Sequence, residues 1–311
     1  MSFDIESNRD LYPFENRWFD IDGLRMHYLD EGQGEVVVCV HGNPSWSFYY
    51  RELVKALRPA YRVIVPDHIG CGLSDKPDDT HYPYVLQRRI DDIERLLESL
   101  DVHERATLVV HDWGGMIGLG WALRDPRRIA RLVILNTSGF LKPAGKRLPW
   151  QLWLVRNVST LGAPLVRGFN AFARGAARVG TSKGMSRRIR DAYCAPYDSW
   201  RNRIATLRFV QDIPLGPGDT SYDAARFVDE RLKTVAHLPA LICWGKGDFV
   251  FDRHFLKEFR QRLPEAEVHK FPEAGHYCLE DAGDAIIPLV QDFLARHPLP
   301  EPTPVSPEIG S

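Results

Sequence analysis

The sequence predicts a mostly parallel α/β sheet with helices on both faces and an all-helical insertion. Three observations lead there. Short β-branched runs alternate with amphipathic helical patterns along most of the chain. Several of the runs are apolar at nearly every residue, as strands covered on both faces are. The alternation stops after Asn136, gives way to a helical, Arg-rich stretch punctuated by Gly and Pro, and resumes at Ala240.

In chain order the strand runs are "GLRMHYLDEG", "EVVVCVHGN", "YRVIVPDH", "ATLVVHD", "ARLVILNTS", "ALICWGKGD" and "AEVHKF". Between the third and fourth lies "YVLQRRIDDIERLLESL", with apolar residues at Val85, Ile90, Ile93, Leu96, Leu97 and Leu100, one stripe of a helix. "FLKEFRQRL" and "IIPLVQDFLARH" are further helical patterns. The division expected is a first core segment over 1–140, a helical lid over 141–215, a second core segment over 216–297, and a Pro-rich tail, "HPLPEPTPVSPEIGS", whose last residues 298–311 read as disordered. No internal repeat is visible.

Composition narrows the function. A chain of 311 residues with 44% apolar content buries a large core. Forty basic against 41 acidic side chains exclude nucleic-acid binding by overall charge. The five cysteines (Cys39, Cys71, Cys194, Cys243, Cys278) show no C-x-x-C spacing, and three sit in or beside apolar runs, so they read as buried free thiols rather than disulfides or a zinc site. No signal peptide is visible, and no apolar run approaches the roughly 20 residues that span a bilayer. A cytoplasmic protein is expected.

The chemistry concentrates in "VVHDWGGMIG", Val109 to Gly118. A strand that turns sharply into a helix needs small residues around the apex. Val110-His111-Asp112-Trp113-Gly114 has that form with Asp112 at the apex, and the chain contains no G-x-S-x-G to compete. A carboxylate placed there attacks carbon and forms an ester, dividing one displacement into two steps. The alternative is that Asp112 caps the following helix. "VHGNPSW" follows another strand and offers Asn43, with a side-chain amide and a backbone N–H. Trp113 adds an indole N–H, which only donates. Together the two are candidates to hold an anion that develops opposite Asp112. "FPEAGHYCLED" places His276 in a loop after the last strand, a candidate base, and "ICWGKGDFVFD" places Asp248 after the preceding one, a candidate orienting acid. His41 and His111 read as structural. The order nucleophile, acid, histidine is that of the α/β-hydrolase fold.

These residues resemble the haloalkane dehalogenase branch of the α/β hydrolases, from about Asp20 to Arg296. The resemblance implies an eight-stranded sheet, Asp112 as nucleophile, His276 as base, Asp248 as acid, Asn43 and Trp113 as the anion donors, and neither cofactor nor metal. Epoxide hydrolases look similar around "HDWGG", but usually carry an aromatic residue after "HG", where this chain has Asn43. They also use two lid tyrosines from separated positions, and here only Tyr193 and Tyr197 are available. Some dehalogenases take their acid from the strand ending "LVILN". This chain has Asn136 there, so Asp248 must serve.

Further stretches resemble the β-lactone decarboxylases of bacterial long-chain olefin biosynthesis, dehalogenase-like proteins of the third subgroup: "HGNPSWSFYYR", "VPDHIGCGLSDKPDD", "LVILNTSGF", "PWQLW", "FNAFARGA", "RFVQDIPL" and "FDRHFLKEF". That implies a four-membered lactone bearing two long alkyl chains as substrate, a cis-alkene and carbon dioxide as products, and assembly with a β-lactone synthetase. Attack on the ring carbon bearing oxygen or on the carbonyl both remain open, as does the role of His276. The rival activity is haloalkane hydrolysis. A non-catalytic scaffold of the same fold is the reading from another class.

The lid segment 141–215 carries fourteen Lys and Arg against Asp191, Asp198 and Asp212, so the rest of the chain is correspondingly acidic. Apolar residues such as Trp150, Trp153 and Phe169 are interleaved. One reading is a solvated face over an apolar tunnel. The other is a face around Arg187, Arg188 and Arg190 that docks an acidic partner or a membrane surface.

Overall fold

The computed structural model describes residues 8–299. One sheet of eight strands forms the centre: β1 (Arg17–Ile21), β2 (Leu24–Glu31), β3 (Val36–Val40), β4 (Arg62–Pro66), β5 (Ala106–Asp112), β6 (Ile129–Thr137), β7 (Ala240–Gly245) and β8 (Glu267–Phe271). Their order across the sheet is β1-β2-β4-β3-β5-β6-β7-β8. β2 pairs antiparallel with both β1 and β4, and every later pairing is parallel. Seven strands are the runs read from the sequence. The eighth, β1, was not, because its residues are mostly exposed and it carries the charges of Arg17 and Asp20.

Alternate residues of the central strands point into opposite layers. Val38, Val40, Leu108, Val110, Leu132, Ile134 and Ile242 join one core, and Val37, Cys39, Val109, Val133, Leu135, Leu241 and Cys243 the other. This two-sided burial is the reason the runs lack polar alternation. The first layer is closed by α2 (Leu86–Ser99), α3 (Trp113–Ala122), α9 (Tyr222–Arg231) and α10 (Arg253–Arg262). The second is closed by α1 (Arg51–Leu57) and α11 (Cys278–Arg296). The five cysteines are free. Burial pushes the thiols of Cys71 and Cys278 up to about 12, so both stay protonated at neutral pH.

Between β6 and α9 the chain forms α4 (Trp150–Asn157), α5 (Ser159–Ala163), a π-turn at Pro164–Gly168, α6 (Ala171–Val179), α7 (Arg187–Cys194) and α8 (Ile204–Gln211). These short helices have a small core of their own, Val155, Val166, Leu207 and Val210. Ion pairs tie them to the acidic body: Lys146–Asp252 at 2.9 Å, Arg156–Asp219 at 2.5 Å, Arg208–Asp79 at 2.5 Å and Arg188–Asp10 at 2.5 Å. Among the described residues no helix is long and apolar enough to cross a membrane. The Pro-rich tail lies outside the described residues from position 300 onward.

Candidate active site

β5 is buried throughout and ends at Asp112, whose backbone adopts φ 54°, ψ −127° before α3 begins. Such a conformation is strained for a residue with a Cβ and persists only where the surroundings impose it. Two glycines allow it. A Cβ on Gly114 would stand 1.9 Å from the Val40 carbonyl oxygen, and one on Gly42 would stand 2.0 Å from Asp112 Oδ1. The Thr137 hydroxyl donates to the Asp112 carbonyl and pins the turn from β6. Asp112 does occupy the N-cap position of α3, yet its side chain makes no capping hydrogen bond. Its Oδ1 accepts instead from the Asn43 backbone N–H at 2.6 Å.

His276 comes from the loop between β8 and α11. Its Nε2 lies 3.6 Å from Asp112 Oδ2, and its Nδ1 lies 2.8 Å from Asp248 Oδ2. Asp248 is buried, and the backbone N–H groups of Val250 and Phe251 donate to its Oδ1 at 2.7 and 3.0 Å. Its Oδ2 also accepts from Asn136 Nδ2 at 3.1 Å. His111 reaches across to the backbone, with Nε2 2.8 Å from the His276 carbonyl oxygen, and stacks on Tyr49 with ring centres 4.3 Å apart. His41 turns its Nδ1 to the Gly42 carbonyl at 2.8 Å and packs against His68. Both histidines brace loops around the site rather than facing the cavity.

Burial raises Asp112 above the ordinary carboxylate value, only partly offset by His276 and by the N–H groups of Asn43 and Trp113. For His276 burial works in the other direction, against the imidazolium. The carboxylate of Asp248, aided by Asp112, outweighs it and lifts His276 above the ordinary histidine value. A second buried carboxylate, Asp67, behaves differently. Burial alone would raise it, but His27 at 2.8 Å, nearby His41 and the Leu73 backbone N–H hold it at about 2. Asp67 supports the loop that follows β4 and faces no substrate space.

Asn43 Nδ2 gives one proton to the Thr206 carbonyl of α8 at 3.1 Å, so the lid orients this amide. The Trp113 indole N–H has no hydrogen-bond partner among the described residues, and its ring meets Phe209 at 5.4 Å. Asn43, Asp112, Trp113 and His276 share one cavity of about 460 Å³. Its remaining walls are mostly apolar and come largely from the lid, among them Leu152, Val155, Leu165, Phe172 and Val210, with Phe251 and Phe255 from the body. Tyr193 and Tyr197 do not line it. The Tyr193 hydroxyl donates to Glu280 at 2.6 Å and the Tyr197 hydroxyl to the Ser45 carbonyl at 3.3 Å. The pair of lid donors that epoxide opening needs is therefore turned away from the cavity.

Asn136 was singled out in the sequence only for not being an acid. In the structure it stitches β6 to β7, accepting the Gly245 N–H at 2.7 Å and donating to the Gly245 carbonyl at 2.9 Å, while also reaching Asp248. It is a positioning residue, and its place at the end of β6 was the one available signal.

Comparison with known proteins agrees with the fold. The sequence profile of the α/β hydrolase fold family matches residues 35–282. A cis-3-alkyl-4-alkyloxetan-2-one decarboxylase of Shewanella oneidensis is 58% identical over 287 residues, 92% of this chain and 90% of the relative. The protein of the same name from Xanthomonas campestris is 50% identical, covering 93% and 98%. A haloalkane dehalogenase 2 of Mycobacterium bovis is 31% identical, covering 92% and 97%. Among solved structures, haloalkane dehalogenase DbeA from Bradyrhizobium elkani superposes with a TM-score of 0.81 at 24% identity, over 91% of this chain and 98% of that one, and shows the shared fold. With a profile spanning most of its length and relatives this similar end to end, the chain belongs to the α/β-hydrolase family and is similar within it to the cis-3-alkyl-4-alkyloxetan-2-one decarboxylases and, at lower identity, the haloalkane dehalogenases.

Proposed function

We propose that this chain converts a cis-3,4-dialkyl β-lactone into a cis-alkene and carbon dioxide. The observation that carries the reading is the 58% and 50% identity to two decarboxylases of that name, which extends over the lid as well as the sheet. The lid supplies most of the apolar wall around Asp112.

The residues suit the chemistry. Asn43 holds Oδ1 of Asp112, leaving Oδ2 to attack ring carbon C4. The C4–O1 bond breaks, an ester forms between Asp112 and C4, and the ring oxygen leaves as part of a free carboxylate. Trp113 and the Asn43 amide, which share the cavity with Asp112, are the donors to that carboxylate. The C2–C3 bond then breaks, its electron pair forms the C3=C4 double bond, and the pair of the C4–aspartate bond returns to Asp112. Carbon dioxide and alkene result, with no proton and no water consumed. Attack inverts C4 and anti departure then places both alkyl groups on one side, which gives the cis-alkene. Attack at the carbonyl would instead leave an alkoxide on C4, which departs only with a proton. His276, biased toward its charged form, supports the Asp112 carboxylate as it leaves.

The second reading is haloalkane hydrolysis, favoured by the 31% identical dehalogenase and by the same five side chains. Purified protein incubated separately with a cis-3,4-dialkyl β-lactone and a bromoalkane, each followed by gas chromatography, decides between them. Alkene is expected from the lactone, reduced by about 10³-fold or more in Asp112→Ala. Bromide and alcohol, with the lactone untouched or only opened to the hydroxy acid, would overturn the proposal.

A further inference from the structure

The apolar cavity has an apolar mouth. Trp150 and Val179 line it and are nevertheless 70% and 62% exposed, and Leu165 and Phe249 are likewise part wall and part surface. Trp153, Leu161 and Phe169, the last 71% exposed, belong to the same lid segment without lining the cavity at all. Large exposed apolar groups gathered on one subdomain mark a surface that something covers.

The lid's arginines differ in whether they are already engaged, and Arg174 and Arg178 share a second groove with Arg187, Arg190 and Asp191. Of the cluster singled out in the sequence, Arg188 is held by Asp10, Arg190 donates to the Met185 carbonyl at 2.6 Å, and Arg187 lies 3.6 Å from Asp191. Those side chains already have partners within the molecule. Arg147, Arg174, Arg178 and Arg201 make no ion pair among the described residues. Arg147 lines the cavity near Trp150. Arg174 and Arg178 sit on α6, whose opposite side (Phe172, Ala176, Val179) forms cavity wall.

We infer that the lid docks on an anionic bilayer with the cavity mouth against the lipid, so that the lactone enters from the membrane rather than from water. This rests on the proposed lactone substrate. Tryptophan and phenylalanine beside arginine is the composition that settles at a lipid–water boundary, rings toward the acyl region and guanidinium toward the headgroups. A protein partner would need complementary pockets for these rings, whereas a fluid bilayer accepts them as they stand. The charge distribution fixes the orientation. The lid is strongly basic, the body is acidic, and the whole is close to neutral, so an anionic surface attracts one end and repels the other.

The experiment is co-sedimentation of the full chain with vesicles of phosphatidylglycerol and phosphatidylcholine (3:7) and with pure phosphatidylcholine vesicles. The double variants Trp153→Ser/Phe169→Ser and Arg174→Glu/Arg178→Glu are run alongside, none of these residues being in the catalytic machinery. Binding is expected to the anionic vesicles, weakened about tenfold or more in each variant. Turnover of a long-chain lactone presented in those vesicles should fall in parallel, while turnover of a short, water-dispersed dialkyl lactone stays at the parental rate. Absence of binding, equal binding to both vesicle types, or variants that bind as the parent would overturn the inference. Failure of the parent protein to turn over either lactone would instead sink the proposed reaction, and the sedimentation result would still judge the surface.

Discussion

Asp112 and His276 face each other across 3.6 Å, and both are displaced upward from their ordinary values. The two candidate reactions use them in different charge states, so pH separates them. Both require ionised Asp112, and both should fail as acid protonates it, at a pH above the ordinary carboxylate range because burial raises this group. At the alkaline end they should diverge. Alkene formation, supported by the imidazolium, should decline as pH rises through the His276 value. Bromide release under multiple turnover needs neutral His276 to activate water, so it should rise over the same interval. Rate profiles for both substrates on one preparation check this, and parallel profiles would contradict the division of roles. The strand-to-helix turn and the two late loops each announce a side chain locally, so the meeting of Asp112, Asp248 and His276 was legible in the sequence. Asn136 was not, because its function lies in a meeting with Gly245 and Asp248, more than a hundred residues away along the chain.

At the level of elements, the strand-to-helix turn depends on absence of side chains. Gly114→Ala forces a methyl against the Val40 carbonyl, and neither β3 nor α3 can retreat without uncovering the core. A loss of about 3 kcal/mol or more is expected, read as a lowered Tm or loss of soluble protein. Gly218→Ala, which meets nothing within 4 Å, is the control and should leave Tm nearly unchanged. The central strands were legible because burial on both faces leaves a continuous apolar run. β1 was hidden for the opposite reason: an edge strand with mostly exposed residues has no pattern to distinguish it from a loop. The lid was legible as helical but not in its detail, since helices of five to nine residues broken by a π-turn are held by packing rather than by propensity.

Across the whole molecule, charge and apolar surface are sorted by subdomain. The lid's excess of basic side chains partly serves to attach it to the acidic body through Lys146, Arg156, Arg188 and Arg208. Partly exposed pairs of this kind each contribute no more than about 1 kcal/mol, so the lid is fastened at several weak points over a rigid sheet. Sequence composition showed the imbalance; only the fold showed which arginines are already engaged. The apolar cavity also has a consequence for what happens after the chemistry. In the proposed reaction the lactone enters with a polar ring that Asn43 and Trp113 can grip, but the alkene departs with nothing for them to hold. Carbon dioxide diffuses away, while the hydrocarbon remains wetted on all sides by Leu152, Val155, Phe172 and their neighbours. For enzyme in water, away from any bilayer that could take up the hydrocarbon, each methylene in that contact adds about 0.8 kcal/mol, or roughly fourfold in escape time. Turnover of long chains should therefore show a pre-steady-state burst of alkene, close to one equivalent of enzyme, followed by a slow phase paced by product leaving. Shortening both chains should abolish the burst and raise kcat, as quench-flow sampling of the first turnovers would reveal.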